Sequence, residues 1–343
     1  VPPFWRDLVQ QSRTLPIATN DSISLPRPRY EGGSAPQILR ILGTRLGEMA
    51  FNGRRATHAQ QKETKPTTTA KEFKGVIKLD VRESTPDWGP YTLKKAPEGS
   101  PNILFILYDD TGLAAWSAYG GAINMPTLDK LAANGLIYTQ WHTVALCSPT
   151  RSCLLTGRNH NLNGYGNIAE VSNGFPGFNA RIPQECATIG QVLQDNGWST
   201  FWLGKNHNVP SSDLASGSSR SEWPLQKGFD RFYGFIGGET NQWYPDLVED
   251  NHYIEQPYSP EEGYHLSKDL ADQAIKMIRD QKSANPSKPW FMWYCPGANH
   301  APHQCPQDYI DKYKGKFDAG YEAYREWVLP RMIAKGILPE GTQ

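Results

Sequence analysis

The run Asn102-Ile103-Leu104-Phe105-Ile106-Leu107-Tyr108, closed by Asp109-Asp110-Thr111-Gly112, decides the fold. A continuous apolar run of this length, rich in branched and aromatic residues, reads as a strand buried on both faces. Working downstream, residues 127–132 carry a helix pattern stopped by Gly135. Residues 136–141 read as a strand, a helix opens at Ser148, and residues 188–194 form a helix ended by Gly197. A further strand covers 199–203. Ser267 is placed to cap a helix that carries Leu270, Ala274, Ile275 and Ile278 on one face. Trp290-Phe291-Met292-Trp293-Tyr294 is a third buried strand. Strands alternating with helices imply an α/β fold around a mostly parallel sheet. In such sheets ligands bind beyond the carboxyl ends of the strands. That rule singles out Asp109 and Asp110, then Cys147, then Lys205 and His207, then His300.

Upstream, the chain is irregular and Pro-rich to about Gly53, apart from a helix-like stretch at 36–49. Residues 54–71 are rich in Lys, Thr and Gln without apolar periodicity and read as a linker. Two domains of description follow: an extension over 1–71 and a catalytic α/β portion over 72–343. Thirty-five basic residues balance thirty-five acidic ones, so no global field recruits nucleic acid or a membrane surface. An anionic ligand would need a local cluster of cations. The five cysteines make an odd count without a regular spacing, which does not suggest a disulfide framework. No apolar run has the length of a membrane span, and the segment after Val1-Pro2-Pro3 lacks a signal-peptide core. The compartment is not readable, with the cytoplasm a marginally better reading. Both ends read as cut.

Three groups of residues could carry chemistry. Asp109 and Asp110 are adjacent carboxylates that repel each other, and a hard divalent cation would relieve the repulsion. The duller account is one helix cap and one solvated side chain. Cys147-Ser148-Pro149-Thr150-Arg151 puts a Pro in the first turn of a helix and a Cys at its N-terminus. Unpaired N–H groups and the helix dipole favour negative charge there, and Arg151 reaches back from the next turn. A buried structural Cys with a surface Arg is the bland alternative. Lys205 and His207 could be a solvated turn, and the Cys295, His300, His303, Cys305 spacing fits no common zinc pattern. Trp141, Trp198, Trp202, Trp290 and Trp293 read as core rather than as a substrate platform.

Cys-x-Pro-x-Arg at 147–151, followed by Thr156-Gly157-Arg158, resembles the signature of the type I sulfatases. In that family the Cys is oxidised to formylglycine by a formylglycine-generating enzyme. Gly204-Lys205-Asn206-His207 is similar to the family's Gly-Lys-x-His element, with Asn206 where Trp is frequent. Asn299-His300-Ala301-Pro302 looks like its later His-x-Pro element. The resemblance spans roughly residues 100–305. It implies an alkaline-phosphatase-like three-layer sandwich with a mostly parallel mixed sheet, whose C-terminal part is missing here.

The resemblance also implies a division of labour. Asp109, Asp110 and the converted Cys147 would contribute to a Ca2+ site. A formylglycine hydrate would supply the nucleophile, and Arg151 and Lys205 would neutralise the sulfate oxygens. His300 would protonate the departing alcohol or phenol. His207 would then take a proton from the second hydroxyl so that sulfate leaves and the aldehyde returns. The substrate implied is a small sulfate monoester, an aryl sulfate foremost. The family's second pair of calcium ligands and a second sulfate-binding Lys find no match between Gln304 and Gln343, where 309–337 resembles a helical insert. The 343 residues alone are therefore expected to be inactive. A phosphonate or phosphate ester hydrolase of the same superfamily, and a non-catalytic binding module, are the competing readings.

Overall fold

The computed structural model describes residues 72–343. The helix read at 36–49 and the linker at 54–71 lie outside the described residues.

Six strands form one sheet: β1 (Ile103–Ile106), β2 (Ser199–Lys205), β3 (Arg231–Phe235), β4 (Val248–Glu249), β5 (His252–Tyr253) and β6 (Trp290–Cys295). Their order across the sheet is β1-β6-β2-β3-β4-β5. The first three pairings are parallel and the last two antiparallel, which is the mostly parallel mixed sheet expected. Register brings Leu203 opposite Tyr294, Gly204 opposite Cys295, and Ile106 opposite Tyr294. The carboxyl ends of β1, β6 and β2 therefore lie side by side.

Strand periodicity sorts the side chains into two cores. On one face Trp202, Phe232, Phe291 and Trp293 pack with Leu155 and the partly buried Ile189 and Leu193. On the other, Phe201, Leu203, Tyr233, Phe235 and Met292 pack against Leu266, Leu270, Ala274 and Met277. Three layers result. The first core is covered by α2 (Cys147–Thr156) and α3 (Ile189–Asp195), and the second by α4 (Leu266–Ala284). Before these comes α1 (Pro126–Asn134), and after β6 come α5 (Gln307–Asp311) and α6 (Gly320–Ala334). Thr188 and Gln191 close a capping box at α3, satisfying two otherwise unpaired N–H groups.

Several local expectations are corrected. Residues 136–141 form no strand. Leu136, Tyr138 and Trp141 are exposed, and no described strand offers them a ladder partner. Trp141 is thus not core, whereas Trp202, Trp290 and Trp293 are. The first strand is shorter than its apolar run, and Leu104 and Ile106 are exposed because that face of β1 carries no covering core among the described residues, whereas Ile103 and Phe105 pack on the opposite face. His265, not Ser267, caps α4, its ring accepting the Ser267 N–H. Ile275 faces solvent, its place on the buried stripe taken by Met277. The strand at 231–235 and the hairpin at 248–253 carry no clear period in the sequence and emerge only from the structure.

Candidate active site

Gly204 permits the close approach on which the site depends. It sits at φ +89°, and a Cβ there would run into the Cys295 carbonyl on β6. The next residue, Lys205, ends β2 fully buried, and its Nζ donates to Asp109 Oδ2 at 2.6 Å. Asp109 follows β1, and its other oxygen lies 3.4 Å from Arg151 Nη2 on α2. Arg151 is buried as well and donates through Nη1 to the Lys205 carbonyl at 3.3 Å. Burial by itself would raise the Asp109 carboxyl, but Arg151 and Lys205 outweigh it and hold the group below its usual range. Two buried cations thus share one buried anion, leaving this trio with a net positive charge.

Cys147 is the first residue of α2, and Leu146 before it provides no side-chain cap. The first N–H groups of the helix are free to favour negative charge there. Burial pushes the Cys147 thiol up, yet the neighbouring His207 ring and Lys205 bring it below its ordinary value. Cys153, one and a half turns on, lies raised by burial. The two thiols are therefore in different electrostatic settings, as only the first has the site's cations around it. Thr156-Gly157-Arg158 plays another part. Gly157 ends α2 in the left-handed conformation, and Arg158 is exposed.

His207 lies two residues beyond β2 with φ +58°, a region costly for a non-glycine residue. Its backbone is held by the Ile236 carbonyl at 3.0 Å. Its Nε2 is 2.9 Å from both carboxylate oxygens of Glu170, a residue not singled out by any motif. The hydrogen bond to His207 holds Glu170 below the usual carboxylate range against the effect of burial. Burial would lower His207, but its contacts with Cys147 and Glu170 raise it above the ordinary histidine value. Asn206, the departure from the family's usual Trp, is buried and accepts the Asn208 N–H at 2.6 Å.

His300 follows β6 on a loop tied to β1, since the Asn299 N–H donates to the Asp109 carbonyl at 3.0 Å. Its ring lies between two exposed carboxylates, 3.7 Å from Asp110 and 3.7 Å from Glu239. Asp110 itself has φ +48° and, unlike Asp109, is exposed. All seven residues read from the sequence, Asp109, Asp110, Cys147, Arg151, Lys205, His207 and His300, thus gather at the carboxyl edge of β1, β6 and β2. The residues missed are Glu170 and Glu239. Neither lies in a motif, and only their three-dimensional neighbours mark them.

The donor set offers less to a cation than to an anion. Asp109 and Asp110 offer oxygens from one chain segment, but among the described residues no three His, Cys, Asp or Glu side chains meet as a metal cluster. Both Asp109 oxygens are also engaged by cations. These residues supply part of a calcium shell and not the whole, since calcium takes six to eight oxygens. For an anion the fit is better. Arg151 Nε–H is buried without a partner among the described residues, and buried polar groups are seldom left so.

The Sulfatase family model matches residues 101–336. A Schizosaccharomyces pombe protein described as an uncharacterized sulfatase is 30% identical over 266 residues, covering 72% of this chain and 46% of that protein. An arylsulfatase of Klebsiella aerogenes is 29% identical over 259 residues, covering 72% and 53%. The chain spans about half the length of these curated relatives. Among solved structures, a Bacteroides thetaiotaomicron protein of a locus for glycosaminoglycan metabolism superposes with a TM-score of 0.52 at 17% identity, over 69% of this chain and 55% of that one. That likeness speaks for the fold. The family match, which spans well over half of the sequence and encloses every site residue named above, shows that the chain belongs to the sulfatase family.

Proposed function

We propose that this site hydrolyses sulfate monoesters, aryl sulfates foremost, with Cys147 oxidised to formylglycine as the source of the nucleophilic oxygen. The observation that carries the reading is the buried trio of Arg151, Lys205 and Asp109 beside Cys147 at the N-terminus of α2. Fixed cations in a buried setting stabilise developing oxyanion charge without having to reorganise. Arg151 and Lys205 hold the sulfate oxygens. His207, kept in place by Glu170, accepts a proton at the side chain of residue 147. His300, partly exposed at the mouth, donates the proton that the departing alcohol or phenol needs. Asp109, Asp110 and the oxidised Cys147 would hold a divalent cation, calcium by the family's habit, together with ligands from elsewhere; such an ion polarises oxygen. The partners of this reading are a small sulfate ester and a formylglycine-generating enzyme. The naming of the Klebsiella relative as an arylsulfatase supports the aryl preference.

The test joins modification to turnover. The chain is coexpressed with a formylglycine-generating enzyme, and the peptide containing Cys147 and Cys153 is weighed by mass spectrometry. Conversion is expected at Cys147 and not at Cys153. Nitrophenyl sulfate is then compared with a nitrophenyl phosphonate ester in protein extended to the length of its relatives. An ordinary thiol at Cys147 overturns the nucleophile, and faster phosphonate turnover would move the assignment to phosphorus chemistry.

A further inference from the structure

Glu170 has no role in the chemistry that the motifs imply, yet it is built into the site. It lies in a single 3-10 turn, Ala169–Val171, following a loop that runs back over α2. The Ala169 N–H donates to Ser148 Oγ at 3.2 Å, so the residue before Glu170 is tied to the residue after Cys147. Asn208 Nδ2 donates to the Ser148 carbonyl at 3.1 Å, tying the residue after His207 to the same point. Cys147, Glu170 and His207 are thus fixed relative to one another through Ser148, which is fully buried.

The contact between Glu170 and His207 determines which ring nitrogen does what. Both Glu170 oxygens lie 2.9 Å from Nε2. An ionised carboxylate can only accept, so Nε2 carries a proton. In the neutral ring Nδ1 is then the nitrogen with a free lone pair. That atom is buried, beside Cys147, and has no other polar partner among the described residues. Gly238 supplies an independent sign that the pair is a built feature. Its φ lies outside the range that disfavours side chains, so the backbone does not demand glycine there. A Cβ at 238 would come within 2.7 Å of His207 Cε1 and Nε2 and 3.0 Å of Glu170 Oε1. The position is kept bare by the pair beneath it. His207 is also held at positive φ, a strain that the surroundings must maintain.

We infer that Glu170 is a positioning residue for His207: it anchors Nε2–H so that Nδ1 is presented, as proton acceptor, to the side chain of residue 147. The inference rests on the hydrolase reading above and adds to it a residue outside the motifs. Carboxylates that orient a functional histidine commonly matter by about 10- to 100-fold.

Two measurements test it on the full chain. In protein labelled with 15N-histidine, the wild type and E170Q should show a hydrogen-bonded His207 Nε2 proton, assigned by its loss in H207N. Glu170→Ala should lose it, and so should Gly238→Ala, which separates the pair without altering either member. In converted enzyme extended to the length of its relatives, E170A should lower kcat on nitrophenyl sulfate by about 10- to 100-fold while kcat/KM stays near wild type. Nitrophenol release would continue at its usual rate, and only regeneration of residue 147 would slow, giving a burst. General structural damage would lower both constants. Retention of the ring proton in E170A, or loss of the proton with unchanged kcat, overturns the inference. If the wild type turns over no sulfate ester, the hydrolase reading falls, and the ring proton alone then decides the orientation.

Discussion

Replacing Asp109 by Asn keeps the shape of the side chain and removes the one anion between two buried cations. Asp109 accepts from Lys205 Nζ at 2.6 Å and lies 3.4 Å from Arg151 Nη2, and all three side chains are buried. A unit pair 4 Å apart at an effective dielectric constant of about 20 is worth about 4 kcal/mol. Both contacts here are shorter. The desolvation already incurred by Lys205 and Arg151 is not recovered when their partner is neutralised, and stranding one member of a buried pair costs about 3–5 kcal/mol. Asp109→Asn should therefore destabilise the fold by that amount. Lys205→Met in the same background removes the stranded cation, and the double variant should be more stable than the sum of the single changes by about 2 kcal/mol. Urea unfolding followed by fluorescence of the buried Trp202 and Trp293 gives the free energies, with a chelator present so that no cation competes for Asp109. A loss below about 1 kcal/mol in D109N, or strict additivity with K205M, would refute the buried-trio reasoning.

Away from the site, Asp213 accepts from Arg181 at 2.7 and 3.0 Å, and this contact holds its carboxyl low against the effect of burial. A depressed folded-state value stabilises above the unfolded pKa of about 3.9 and is lost as pH falls through the folded value. Asp213→Asn should thus cost about 1 kcal/mol at pH 7, the half-exposed Arg181 limiting the figure, and the gap to wild type should close as pH falls through the lowered folded-state value. In an enzyme of the relatives' length, His300→Ala should slow alkyl sulfates by about 10²–10⁴-fold and nitrophenyl sulfate far less, because a good leaving group needs little protonation. Equal losses on both remove His300 as general acid. Calorimetric titration of the 343-residue chain with calcium should find a dissociation constant weaker than about 1 mM, as Asp109 and Asp110 furnish only part of a shell; tight binding would mean that further ligands are present.

What was legible in the fold follows how locally each element is determined. β2 is buried along its whole length and β6 nearly so because helices cover both their faces, and the apolar runs at 201–203 and 290–294 are readable without any partner. The helix read at 188–194 is equally local, its start fixed within one turn by the box of Thr188 and Gln191. Where pairing or cover decides, the sequence misleads. Residues 136–141 have strand composition but no ladder, and β1 has the composition of a fully covered strand while Leu104 and Ile106 stay exposed. The hairpin of β4 and β5 is the converse case, since its two-residue strands are too short to show a period and exist by pairing with β3.

The site divides along the same line. Asp109, Lys205 and His300 each sit at or just beyond the end of a readable strand, so the rule about carboxyl ends finds them with no knowledge of contacts. Cys147 is different: the strand expected before it is absent, and its place comes from the helix N-terminus that Pro149 announces. Glu170 has neither mark. It lies 37 residues from His207 in a one-turn segment, with no apolar period around it and no glycine or proline beside it to flag a special backbone. Its significance comes from the two oxygens 2.9 Å from one ring nitrogen, a relation between loops that no local pattern encodes. Gly238 is a trace it leaves elsewhere in the sequence, and even that is inconspicuous beside Gly237 until the ring beneath it is seen. Groups that touch the reacting atoms thus sit where backbone geometry dictates and can be read locally. Groups that act through another side chain need only reach it, and any loop that passes close enough can supply them.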